Sequence, residues 1–129
     1  SVKSLSEALE VVKLVDAPNV GILLDLLHVV RSGTTFKEIK ACDPKLFPYA
    51  QWCDGTAQPV GLSDSELIID ALDDRLIPAQ GKLDALKFES LFDTDVPFSI
   101  EVRSKHLREN FPDYEERARY VLDQTLAAL

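Results

Sequence analysis

Methionine is absent from all 129 residues, tryptophan occurs once, and cysteine only twice. In a chain that opens on Ser1, the lack of methionine leads us to expect that its natural beginning is missing or altered. No signal peptide opens it, and no apolar run approaches the roughly 20 residues needed to cross a bilayer, so no membrane role is expected and a cytoplasmic setting is. Positive charge is scarce too: 14 Lys and Arg stand against 22 Asp and Glu, a net charge of −8, with no basic stretch. Such a surface repels phosphate backbones, which removes nucleic acid from the expected partners. Cys42 and Cys53 have neither CxxC nor zinc-site spacing, and among apolar and aromatic neighbours they are expected as reduced core thiols. No GxGxxG or GxxxxGK motif follows any candidate strand, so dinucleotide and P-loop sites lack support.

What is present is the composition of an ordinary globular protein, 46% hydrophobic and 28% charged, long enough for one domain over residues 1–129. Ser4 and Glu7 have capping-box spacing, and Leu5, Ala8, Leu9 and Val12 recur at helical intervals up to Val15. "VGILLD" is a continuous apolar run, too short for a helix and closed by charge, as in a parallel strand covered on both faces. Thr35 and Glu38 cap a short helix carrying Phe36 and Ile39, which stops before Asp43-Pro44. "FPYAQWCD" reads as a second strand, and Ser63 with Glu66 caps "ELIIDALDD", with a stripe of Leu67, Ile68, Ala71 and Leu72. The loop "RLIPAQGKLD" leads to a helix with Leu83, Leu86 and Leu91. "PFSIEVRS" is a third strand. The last helix, "PDYEERARYVLDQTLAAL", turns Tyr114, Ala118, Val121, Leu122 and Leu126 inward. The order αβαβααβα implies a parallel sheet with helical crossovers, and three strands leave two open edges.

Each strand closes on polar residues. Asp25 ends the first, with His28 beyond it; the second carries Gln51 and ends on Asp54; the third carries Glu101 and then Arg103. In a parallel α/β barrel the carboxyl ends of neighbouring strands meet at one mouth, where catalytic residues gather. Asp25, Gln51 and Glu101 would then share a space, and oxygen donors in that number suit Mg²⁺, Mn²⁺ or Zn²⁺. Asp54 is expected to support the site or a turn, and Trp52, facing the opposite way, to be core. "DALDDR" reads as a solvated helix end, and His106 as part of a polar loop.

"GILLDLLHVVRSG", "YAQWCDG", "RLIPAQGKLD" and "FSIEVRS" together resemble the C-terminal part of a xylose isomerase-like TIM barrel. This is the sugar phosphate isomerase/epimerase superfamily, related to the second family of AP endonucleases. The resemblance implies about three parallel strands of a (β/α)8 barrel, incomplete as a stand-alone barrel. It implies Asp25 and Glu101 as metal ligands, with Glu101 also the acid/base and Gln51 standing where the family has a ligating His. His28 would be catalytic and, with Arg75 and Arg103, would bind substrate. "RLIPAQG" keeps the Arg, Pro and final Gly of the family's site-closing "R..PGEG" loop but not its Glu. The family's remaining ligand, a Glu on an earlier strand, has no counterpart in this chain. The implied function lies in carbohydrate metabolism: a divalent-metal-dependent isomerase or epimerase acting on a sugar, sugar phosphate or polyol-derived keto compound through a metal-stabilised enediolate. A dehydratase or lyase on the same scaffold, and a non-catalytic, self-associating barrel fragment, stand as alternatives. Open sheet edges lead us to expect a homo-oligomer or part of a longer chain.

Overall fold

A computed structural model describes residues 2–57 and 62–129. Helix α1 (Leu5–Val15) begins at the expected capping box, in which Ser4 accepts from the Glu7 amide and Glu7 reaches back. Strand β1 (Leu24–Asp25) runs directly into α2 (Leu26–Arg31), and α3 (Phe36–Lys40) starts at the Thr35/Glu38 box. A 3-10 turn (Pro44–Leu46) precedes β2 (Ala50–Trp52), and α4 (Asp64–Asp73) opens on the Ser63/Glu66 box. Then come α5 (Ala85–Glu89), β3 (Phe98–Ile100), α6 (Lys105–Asn110) and α7 (Tyr114–Leu126).

The three strands form one parallel sheet in the order β1-β2-β3, as the alternating pattern predicts. One face is packed. Leu24, Ala50 and Trp52 are buried, the Trp52 indole donates to the Ala85 carbonyl at 3.0 Å, and Phe98 meets Phe88 and Phe92 edge-on. Trp52 is therefore core, as expected. The cluster extends through Leu26, Leu27, Val29, Ile39 and Phe47 beneath the short helices.

Several local expectations are overturned. The strands are shorter than the apolar runs suggested, because "LLHVVR" is helical: the carboxylate of Asp25 caps α2 by accepting from the His28 amide at 3.2 Å. The Asp–x–x–His spacing is thus an N-cap spacing. His106 lies on α6 and bonds Asn110, not in a loop. The stripe on α4 is only partly inward, with Ile68 and Leu72 exposed and Asp70 buried. "DALDDR" is not a solvated end, since Asp70 and Arg75 are only 2% and 3% exposed. On α7 the inward residue is Thr125, whereas Tyr114, Leu122 and Leu126 face outward. No helix among the described residues is long and apolar enough to cross a membrane.

Candidate functional site

Parallel register sets up the site. Asp25 pairs with Gln51, and Gln51 with Ser99, so these three side chains form a row on the face opposite Trp52. Glu101 follows β3 directly, its amide bonded to the Trp52 carbonyl at 2.9 Å, and lies two residues beyond Ser99 on the same face. Gln51 and Glu101 are half-buried, and neither side chain hydrogen-bonds another described residue.

Asp25 is buried and fully engaged. One oxygen caps α2; the other accepts from Nη1 of Arg75 at 2.7 Å, with side chains only 4% and 3% exposed. The cation that a buried carboxylate requires is here a guanidinium. Arg75 is held on every side: Nε donates to the Ala71 carbonyl at 2.9 Å, Nη1 to Cys53 Sγ at 3.4 Å, and Nη2 lies 3.4 Å from Nε2 of His28. Its backbone amide donates to the Arg103 carbonyl at 3.1 Å. Burial pulls the Arg75 pKa down, but the hydrogen bond and charge of Asp25 outweigh it and the net shift is upward. The Arg103 side chain is exposed, without an ion pair among the described residues; this residue serves the site through its carbonyl.

The loop after α4 places Arg75. Leu76 exchanges backbone hydrogen bonds with Asp54 at 2.8 and 2.9 Å, and Asp74 bridges to Ser104, so the segment crosses the carboxyl ends of β2 and β3. Asp54 is buried and serves a turn: its Oδ1 accepts from the amides of Gly55 and Leu83 at 2.8 and 2.9 Å. A Cβ on Gly81 would collide with that carboxylate and with the Gly55 carbonyl, so only glycine fits there. Ala79, two residues earlier, has φ +68°, a conformation that costs an L-residue about 1–2 kcal/mol. Ala79→Gly is expected to raise stability by about 1 kcal/mol, measured by urea denaturation; a loss would show that the left-handed turn is not strained.

Reading the sequence for site residues missed Arg31 and Asp70. Arg31 grips Asp70 through Nε at 2.7 Å and Nη2 at 3.2 Å, and Nη2 also donates to the Thr56 carbonyl at 3.0 Å. This pair ties α2 to α4 next to Ala71, whose carbonyl orients Arg75. The available signal was an acid inside the apolar stretch "LIIDAL". An open cleft of about 960 Å3 lies between α1, α2 and α4; Asp25, His28, Arg31 and Asp70 reach it, but Gln51 and Glu101 do not.

Cys53 shares the site face and is completely buried. Burial, then the Asp25 charge, pushes its thiol up to about 11, against the opposing pull of Arg75. The pair of cysteines should therefore separate at pH 8: half-buried Cys42 alkylates with iodoacetamide, while Cys53 reacts only on unfolding. Peptide mapping checks this. The raised pKa also stabilises the fold below the ordinary thiol pKa of 9.0, and that contribution is lost as pH climbs toward 11.

The donor set can be weighed against the metal that the sequence reading implies. Among the described residues no three His, Cys, Asp or Glu side chains converge on one point. What the chain offers on one face is two carboxylates and an amide, all oxygen donors, two of them without a hydrogen-bond partner. With Asp25 already engaged by Arg75 and by the α2 amide, that set does not by itself complete a site for a hard or borderline divalent ion.

Parallel strands with helical crossovers and polar carboxyl ends define part of a parallel α/β barrel. Comparison with solved structures names the kind. The chain matches the IolI protein, crystallised with a zinc atom, at 27% identity and a TM-score of 0.71, over 98% of this chain and 43% of that one. It matches a xylose isomerase domain protein from Alicyclobacillus acidocaldarius at 25% identity and a TM-score of 0.67, over 98% and 44%. A xylose isomerase-like TIM barrel/4-hydroxyphenylpyruvate dioxygenase fusion protein shares the fold at 21% identity and a TM-score of 0.64, over 96% and 20%. The chain is part of a barrel and has the fold of xylose isomerase-like TIM barrels, consistent with a C-terminal portion, and it spans less than half the length of these solved structures. No family model and no curated protein matches it.

Proposed function

We propose that this chain carries one side of a divalent-metal-dependent isomerase or epimerase site for a sugar, sugar phosphate or polyol-derived keto compound. The observation that carries the reading is the polar row: Asp25 in register with Gln51, and Glu101 on the same face, with Arg75 buried against Asp25 and His28 exposed beside it. Asp25, Gln51 and Glu101 would hold the ion, of which Mn²⁺, Mg²⁺ and Zn²⁺ are the candidates. When bound, the ion supplies Lewis-acid polarisation of a carbonyl and its neighbouring hydroxyl. Glu101, the half-buried carboxylate without a hydrogen-bond partner, removes the proton from the adjacent carbon and returns it. His28, exposed at the start of α2, and Arg75 orient substrate oxygens, and Arg103 lies beyond them at the mouth. Rearrangement without net hydrolysis needs water kept away, and the pinned 75–81 loop, with Ile77 and Pro78 buried, serves that end.

On this reading the apolar side chains exposed at the two ends of the chain, Val11, Leu14 and Val15 on α1 and Leu122 and Leu126 on α7, are covered by the rest of a barrel. Calorimetric titration with Mn²⁺ and Zn²⁺ tests the site. We expect specific binding by this chain and a loss of about 100-fold or more in an Asp25→Ala, Glu101→Ala double variant. Absence of binding to either ion would overturn the metal-dependent reading for the chain.

A further inference from the structure

We propose that the α1 side of this chain is a self-complementary docking face that takes a second copy of the chain in a two-fold pair. This pairing is independent of the metal-dependent reading above. β1 is an outer strand of the sheet, and the cleft beside it is lined by residues of α1, β1 and α4. Leu23, Ile68 and Leu72 stand in the walls of that cleft, large, apolar and exposed. Ser4 and Ala8 line it from α1, and Val11 and Val15 continue their stripe along the helix at intervals of three and four residues. Both valines are exposed, and Leu14 beside them is 84% exposed. The open cleft and the bare face of α1 therefore form one continuous apolar surface.

The exposed area says how much must be covered. A folded monomer of 14.4 kDa exposes about 6,800 Å2. This chain exposes 8406 Å2, an excess of about 1,600 Å2. Two open sheet edges share that excess, about 800 Å2 each, which is what one partner contributes to an interface of standard size. The shape names the partner. One face carries both a hollow, the cleft of about 960 Å3, and a ridge, the end of α1 with Val11, Leu14 and Val15. A two-fold axis turns α1 antiparallel to its copy, so the ridge of each chain points toward the hollow end of the other. A surface that holds both halves of its own complement closes with one partner. The net charge of −8 does not oppose the contact at its centre, where Asp25 and Asp70 are already neutralised by Arg75 and Arg31. For this chain standing alone, a copy takes the place that the rest of a barrel would have on the α1 side.

Sedimentation velocity tests the pair, with EDTA present so that no metal bridge contributes. We expect the wild-type chain at about 100 µM to sediment at twice the 14.4 kDa of one chain. Leu14→Asp on the ridge and Ile68→Asp in the hollow each place a charge in the contact and should weaken the pair about 30-fold or more. Both positions are exposed in the single chain, so the circular dichroism spectrum of each variant should match the wild type. Leu126→Asp, exposed on α7, should leave the pair unchanged. A monomeric wild type at about 100 µM overturns the proposal and returns this face to the rest of a barrel. Loss of pairing in Leu126→Asp but not in Leu14→Asp or Ile68→Asp overturns it too, because α7 is then the contact. Species that grow beyond a dimer with concentration overturn the two-fold geometry. None of these results bears on the metal-dependent reading, which the Mn²⁺ and Zn²⁺ titration tests by itself.

Discussion

Asp25→Ala is expected to destabilise the chain by about 3–5 kcal/mol, a loss that leaves Arg75 charged, buried and without its carboxylate. The magnitude follows from exposure: both side chains are almost sealed from water, and a buried charge without a partner costs far more than a surface pair contributes. The same substitution removes the cap of α2, which adds about 1 kcal/mol. Arg75→Ala should cost a similar amount from the other side. The decisive measurement is a double-mutant cycle in urea, because a chain lacking both groups carries no orphaned charge. We expect the double variant to lose clearly less than the sum, by about 2 kcal/mol or more. Additive losses would show that the two residues act independently and that Asp25 is stabilised by its cap alone.

This pair also shows where the sequence stops being readable. The three capping boxes could be read because each is closed within three residues, Ser4 to Glu7, Thr35 to Glu38 and Ser63 to Glu66. The parallel sheet was readable because short apolar runs between capped helices have few other arrangements. Asp25 and Arg75 lie 50 residues apart, and Arg31 and Asp70 lie 39 apart; neither pairing leaves a local trace. For the same reason the inward faces of α4 and α7 were misjudged. Hydrophobicity alone pointed Ile68 and Leu122 inward, whereas the structure turns in Asp70, satisfied by an arginine, and Thr125, which donates to the Val121 carbonyl at 2.8 Å. The row of Asp25, Gln51 and Glu101 was legible because strand periodicity fixes which side chains share a face. The engagement of Asp25 by arginine was not.

The site and the core meet at β3. Glu101 is placed by a strand of only three residues, Phe98–Ile100, which is too short to hold its position by hydrogen bonds alone. Its first residue, Phe98, leans on Phe88 and Phe92 with ring centroids 6.2 and 5.1 Å away and near-perpendicular planes. Phe88 is the hub of this arrangement, fully buried and within 5.9 Å of Phe36 and 5.1 Å of Phe92. It therefore couples α3, α5 and β3, three elements whose own hydrogen bonding is brief.

Phe88→Ala is expected to cost about 3–5 kcal/mol, the sum of lost transfer energy and a cavity that three neighbouring rings cannot collapse to fill. Out of a total stability of about 5–15 kcal/mol for a domain this size, that loss puts the fold near its limit. Phe88→Leu keeps most of the volume and should lose about 1.5 kcal/mol or less. Urea denaturation measures both, and a cost for Phe88→Ala below about 1.5 kcal/mol would show that the cluster repacks freely. The same variants separate core from site. Phe88→Leu leaves the charges at Asp25, Arg75 and Glu101 intact, so on the proposed metal-dependent reading any Mn²⁺ affinity should fall only as far as β3 shifts. A large loss of affinity in Phe88→Leu at near-normal stability would mean that Glu101 depends on the ring behind β3 for its position, not on the strand that carries it.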